Sequence, residues 1–120
     1  MFVSYARAEN PRGRLLAIKR ALSSLGQVYI DDLEEHDPGA DRTATVMNAL
    51  TRADLFVAVH SRSYLRTEWT RLEFHKAQES GREMRALMPD MSCVNSDSAS
   101  WPWPAQEAAE GSKSGAPSGT

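Results

Sequence analysis

The most constraining feature of the chain is the run Asp54-Leu55-Phe56-Val57-Ala58-Val59-His60, apolar at every position between its polar ends. A strand with one wet face alternates apolar and polar residues. A run without alternation belongs to a strand covered on both faces, as in the parallel sheets of α/β proteins. The other segments fall into place around it. Phe2-Val3-Ser4-Tyr5 reads as a short first strand. Asn10-Pro11 opens a helix whose Leu15, Ile18, Leu22 and Leu25 share one face, and Gly26 ends it. Gln27–Ile30 reads as a second strand leading into the acidic loop Asp31–Gly39, which closes on a Pro-Gly turn signal. A second helix is predicted over 41–52, with Val46, Ala49, Leu50 and Ala53 on its apolar face. A third follows over about 66–80, with Ser63 or Thr67 as its cap, and Met84–Met88 reads as a fourth strand.

Strands that alternate with helix-length crossovers predict an α/β fold: a flavodoxin-like parallel sheet of about four strands, with helices on both faces. In such sheets ligands sit beyond the carboxyl ends of the strands, where the strand order reverses. For the order 2-1-3-4 the crevice falls between Ser4-Tyr5-Ala6-Arg7 and His60-Ser61.

Composition narrows the function classes. The 120 residues carry 14 basic and 16 acidic groups, a net charge of −2, so there is no broad basic field for nucleic acid or anionic lipid. Cys93 is the single cysteine, which excludes a disulfide framework within one chain and a Cys-rich zinc site. No apolar stretch approaches the ~18 residues of a membrane span. The first residues lack the basic-then-apolar pattern of a signal peptide, so a cytoplasmic location is expected. After Met91 the chain becomes rich in Ser, Gly, Pro and Ala. The expected division is therefore a domain over residues 1–90 and a disordered tail over 91–120. The alternative is that Trp101 and Trp103 dock on the domain or on a partner.

Several familiar chemistries are missing. The scattered glycines form neither a dinucleotide fingerprint nor a P-loop. His75 and Glu79 are spaced to share a helix face, which suits a solvated pair better than a metal site lacking further ligands. Asp31-Asp32 follows the second strand rather than the first, unlike the magnesium-binding pair of a phospho-receiver. The informative stretch is Ser61–Phe74. Trp69 and Glu73 stand four apart, on one face of a helix. An aromatic plate beside a carboxylate suits a flat cationic substrate. The ring can stack on a charged heterocycle, and the carboxylate can stabilise positive charge developing at a sugar carbon. The same pair also serves as a core anchor and a surface charge on ordinary helices.

Taken together, these residues resemble a TIR (Toll/interleukin-1 receptor) domain. Phe2–Tyr5 is similar to the first-strand box. Tyr29-Ile30-Asp31-Asp32 through Pro38-Gly39 is similar to the second strand and BB loop. Ala53–Ser61, Ser63-Tyr64 and Trp69–Phe74 are similar to the third strand and the box after it. The resemblance covers residues 1 to about 90. It implies a flavodoxin-like fold and, for many members, cleavage of the nicotinamide–ribose bond of NAD⁺ to ADP-ribose or its cyclic form, in signalling or defence. It places the catalytic glutamate at Glu73. The substrate-contacting set it implies is Ser4, Tyr5, Ala6 and Arg7 from the first strand, Asp32 and Leu33 from the loop, Ser61 and Tyr64 after the third strand, and Trp69. NAD⁺ enters as substrate, with no cofactor and no metal. The expected partners are NAD⁺ and other TIR domains, through a BB loop at about residues 31–40, with no nucleic acid and no membrane. A non-catalytic TIR–TIR interaction module and a nucleoside-processing enzyme of similar fold are the alternatives. Thr70 stands where a cysteine is common, and the family's fifth strand and final helices have no counterpart after Pro89. A truncated domain with an open sheet edge, coverable by a partner chain, is therefore expected.

Overall fold

The chain is described by a computed structural model over residues 1–104. Strand β1 (Phe2–Ser4) is followed by helix α1 (Arg12–Leu22), helix α2 (Arg42–Arg52) and strand β2 (Leu55–Val59). Helix α3 (Glu68–Glu79) and strands β3 (Glu83–Leu87) and β4 (Cys93–Asn95) complete the order. β1, β2 and β3 are parallel, with Phe2 opposite Phe56 and Phe56 opposite Met84. β4 runs antiparallel to β3, with Val94 opposite Ala86.

β2 is covered on both faces, as its unbroken apolar run requires. Phe56 and Ala58 point into a cluster with Val46 and Leu50 of α2 and Phe74 and Ala77 of α3. Val57 and Val59 point the other way, against Leu15, Ile18 and Leu22 of α1. The two-residue strand period and the helix period thus divide one sequence between two cores.

The expected second strand is reduced to a single parallel bridge, Phe2 to Tyr29. Val3 N donates to Tyr29 O at 3.0 Å, and Tyr29 N donates to Met1 O at 2.9 Å. The pairing goes no further because Asp31–Leu33 turns at once into a 3₁₀ turn. The order expected from the crossovers survives, with the Tyr29 segment outside β1 and then β1-β2-β3. Leu25 departs from its predicted place. The chain tightens into a 3₁₀ turn over Ser23–Leu25, which swings this leucine off the helix stripe and leaves it 54% exposed. Gly26 then takes φ +147°, a conformation closed to most L-residues.

The largest correction concerns the C-terminal segment. The described fold does not stop near residue 90. Met91, at φ +70°, reverses the chain so that β4 covers the edge of β3 that was expected to be open. Beyond it, Trp103 is only 6% exposed and joins the α2/α3-side core, with Trp101 packed against the same cluster. The alternative reading, that Trp101 and Trp103 dock on the domain, holds here, whereas the Ser/Pro-rich average that suggested a disordered tail conceals the two indoles. Each tryptophan brings roughly 150–250 Å² of apolar surface, enough to hold a polar segment down. The expected tail beyond Pro104 lies outside the described residues.

Candidate functional site

The site is built where β1, the 31–42 loop and the first turns of α3 meet. Thr70, Glu73, Phe74 and Ala77 form the buried stripe of α3, at the spacing of one helix face. Glu73 therefore occupies a position that ordinary helix patterning reserves for an apolar residue, and it is 4% exposed. Its Oε1 accepts a hydrogen bond from Ser4 Oγ at 2.7 Å. Ser4 Oγ accepts in turn from the Tyr64 hydroxyl at 2.6 Å. Burial pushes the Glu73 carboxyl up to about 7, against an ordinary value of 4.5. The Ser4 hydrogen bond, the Trp69 indole and Arg7 favour the ionised form, and Asp31 opposes it.

In front of Glu73 lies a cleft of about 320 Å³. Phe2, Val3, Tyr5, Ala6 and Arg7 line it from β1 and the turn that follows. Asp31, Arg42, Thr43 and Val46 line it from the loop and the start of α2. Thr67, Trp69, Thr70 and Glu73 close the α3 side. Trp69 is 37% exposed, so its ring is a wall of the cleft rather than part of the core.

An ion-pair cluster holds the mouth. Arg7 grips Asp32 through Nε at 2.8 Å and Nη2 at 2.9 Å. Arg42 Nη2 reaches Asp31 at 2.7 Å and Asp32 at 3.1 Å. The Tyr5 hydroxyl donates to Asp32 at 2.7 Å, and Tyr29 donates to Asp31 at 2.8 Å. His36 Nε2 lies 3.2 Å from Asp31. Burial works against ionisation of Asp32, but the hydrogen bonds from Arg7 and Tyr5 prevail and hold its carboxyl below the usual range. Burial, reinforced by Asp32, pushes the Tyr5 phenol well up. The cluster matches guanidinium to carboxylate in planar pairs and ties the 31–42 loop to the end of β1.

Of the residues singled out from sequence, Tyr5, Ala6, Arg7, Trp69 and Glu73 line the cleft together. Ser4 lies directly behind Glu73, and Tyr64 lies behind Ser4. Asp32 stands under Arg7 and Tyr5, set back from the lining. Leu33 packs on the α1-side core, and Ser61 does not reach the cleft. Asp31, Arg42, Thr43, Thr67 and Thr70 were not foreseen as lining residues. The available signal was the acidic pair Asp31-Asp32 with a lone arginine, Arg42, at the opening of the next helix. His75 and Glu79 pair with each other at 3.2 Å. Among the described residues no three His, Cys, Asp or Glu side chains gather as metal ligands would, and no helix is long and apolar enough to cross a membrane.

The family model described as TIR domain matches residues 1–109. The chain belongs to the TIR domain family. The match includes Trp101 and Trp103, which pack on the core, so the tryptophan segment is part of this TIR domain and not an appendage. No curated protein and no solved structure matches it. The TIR domain presents its cleft at the carboxyl end of β1, as the strand order predicted, but the end of β2 at His60-Ser61 does not line it, and α3 with the start of α2 supplies the other walls.

Proposed function

We propose that this TIR domain cleaves the nicotinamide–ribose bond of NAD⁺. The observation that carries the reading is Glu73, a carboxylate placed in the buried stripe of α3 and turned to a cleft that also holds an exposed indole from the same helix and two arginines from other segments. A buried acid without a task is a standing cost to stability, so its presence asks for a chemical reason. In the proposed reaction the nicotinamide ring stacks on Trp69. The C–N bond breaks with its electron pair leaving on nicotinamide, which departs neutral and needs no proton. The positive charge left on the ribose carbon is stabilised by ionised Glu73, and water or an internal nucleophile completes the bond. Arg7 and Arg42 suit the pyrophosphate, exchanging contacts with Asp32 and Asp31 for contacts with phosphate oxygens. The cationic ring entering beside Glu73 favours its ionisation, which reconciles a carboxyl titrating at about 7 with its work as an anion.

The test is nicotinamide release from NAD⁺ by the full chain at high protein concentration, beside Glu73→Gln. Release that disappears in the folded variant is the expected result. Equal release by both proteins would remove Glu73 from the chemistry. A second reading, TIR–TIR contact without catalysis, draws on Trp69 and Leu72, large apolar side chains exposed on one side of α3 at 37% and 47%. It leaves the burial of Glu73 without a purpose. Self-association with no nicotinamide release would favour it.

A further inference from the structure

Ser4 and Tyr64 belong to the set that the family resemblance brings to substrate, but both are closed off from the cleft, at 1% and 0% exposure. They stand in series behind Glu73. The Tyr64 hydroxyl donates to Ser4 Oγ at 2.6 Å, and Ser4 Oγ donates to Glu73 Oε1 at 2.7 Å. The line joins three elements: the turn after β2, strand β1 and helix α3. Its first member is fixed by aromatic packing. The Tyr64 ring stacks on Trp103, with centroids 5.1 Å apart and planes 27° apart, and meets the edge of Phe74 at 6.1 Å.

Each hydroxyl proton in this line points toward the carboxylate. Among the described residues Tyr64 is wholly buried, so the line has no outlet to solvent there and carries no proton away. What a closed hydroxyl line can do is orient one carboxylate oxygen and, through successive polarised hydrogen bonds, favour negative charge on it. We infer that Tyr64 and Ser4 are positioning residues: their hydroxyl line, braced by Trp103, clamps Oε1 of Glu73 and frees Oε2 for the reacting sugar. The inference rests on the NAD⁺-cleaving reading for its purpose, and on the hydrogen-bond line alone for its geometry. It assigns a catalytic support to the tryptophan segment, some thirty residues beyond Glu73 in sequence.

The charged groups that act on Glu73 from neighbouring segments are Asp31, which opposes ionisation, and Arg7, which favours it. Both stay in place in the variants that test the clamp. The full chain, labelled with ¹³C at glutamate side-chain carboxyls, is titrated by NMR as wild type, Tyr64→Phe and Ser4→Ala, with Glu73→Gln assigning the signal. Nicotinamide release is followed across pH in the same proteins. Ser4→Ala is expected to raise the Glu73 midpoint by about one pH unit, and Tyr64→Phe by about half as much. The rate at neutral pH falls about fivefold in Ser4→Ala and about twofold in Tyr64→Phe with KM for NAD⁺ unchanged, and the acid limb of the rate profile moves with the NMR midpoint.

A raised KM with an unmoved midpoint would mean that these hydroxyls touch substrate, and would overturn the inference. An unmoved midpoint in folded Ser4→Ala would overturn it also. If Tyr64→Phe fails to fold, Ser4→Ala, which deletes a single oxygen, decides. If the wild type releases no nicotinamide, the NAD⁺ reading falls, and the NMR midpoints judge the clamp by themselves.

Discussion

Replacing Glu73 by Gln should make the protein more stable, and by an amount that depends on pH. Burial holds the Glu73 carboxyl at about 7 in the folded protein, against 4.5 ordinarily. Between those two values the unfolded chain has already released this proton while the folded chain retains it. The folded state binds more protons there, so its stability falls as pH rises through the window and levels off above about 7. The whole displacement is worth about 3 kcal/mol. A neutral amide of the same shape escapes this penalty and can still accept from Ser4 Oγ. The stability advantage of Glu73→Gln is therefore expected to grow from below about 1 kcal/mol at pH 5 to about 3 kcal/mol at pH 8. Against a total stability of roughly 5–15 kcal/mol, that is a large share. Urea unfolding of both proteins at pH 5, 6, 7 and 8 measures it. The slope with pH is the decisive quantity, because any difference in amide packing is the same at every pH. A stability difference that stays flat across this range would refute the burial argument, whatever its size. A destabilisation that deepens with rising pH would show that Glu73 is held as a stabilised anion instead.

Three further outcomes follow from the same geometry. Trp103→Ala empties a core site shared by Tyr64, Phe74 and His60 and should cost about 3–5 kcal/mol in chemical denaturation, where a tail residue would cost nothing. Asp31→Asn removes a negative charge that opposes ionisation of Glu73, so the Glu73 midpoint should move down by less than one pH unit in the NMR titration. Limited proteolysis should spare the chain between Cys93 and Trp103, because β4 is paired with β3 and both tryptophans are packed; early cutting inside that stretch would contradict the fold described here.

Much of the fold was legible in the chain because it depends on period and on chain stiffness, which are local. The apolar run Leu55–Val59 could only be a strand covered on both sides, and the leucine and isoleucine spacing of Arg12–Leu22 could only be one helix face. Two local readings failed for a shared reason. Gln27–Ile30 has strand composition but ends in a turn after one bridge, and Leu25 has helix spacing but falls in a tighter turn. Each depended on how far an element continues, and its neighbours decide that.

The site shows the same division. By itself, the sequence determined that Trp69 and Glu73 share a helix face and that the first strand runs into Ser4–Arg7, but the order 2-1-3-4 set that strand end beside His60-Ser61, which does not line the cleft. It could not determine that Glu73 faces inward, because a glutamate on a helix is ordinarily a solvated charge. Only tertiary packing puts that carboxylate among Ser4, Tyr64 and the aromatic core, and only removal from water raises its pKa. Tertiary structure likewise turned the Ser/Pro-rich segment around Trp101 and Trp103 into part of the fold. Burial is the common cause. Hydrophobic stabilisation and desolvation are both properties of the environment that distant residues supply, so they appear only once the chain has closed on itself.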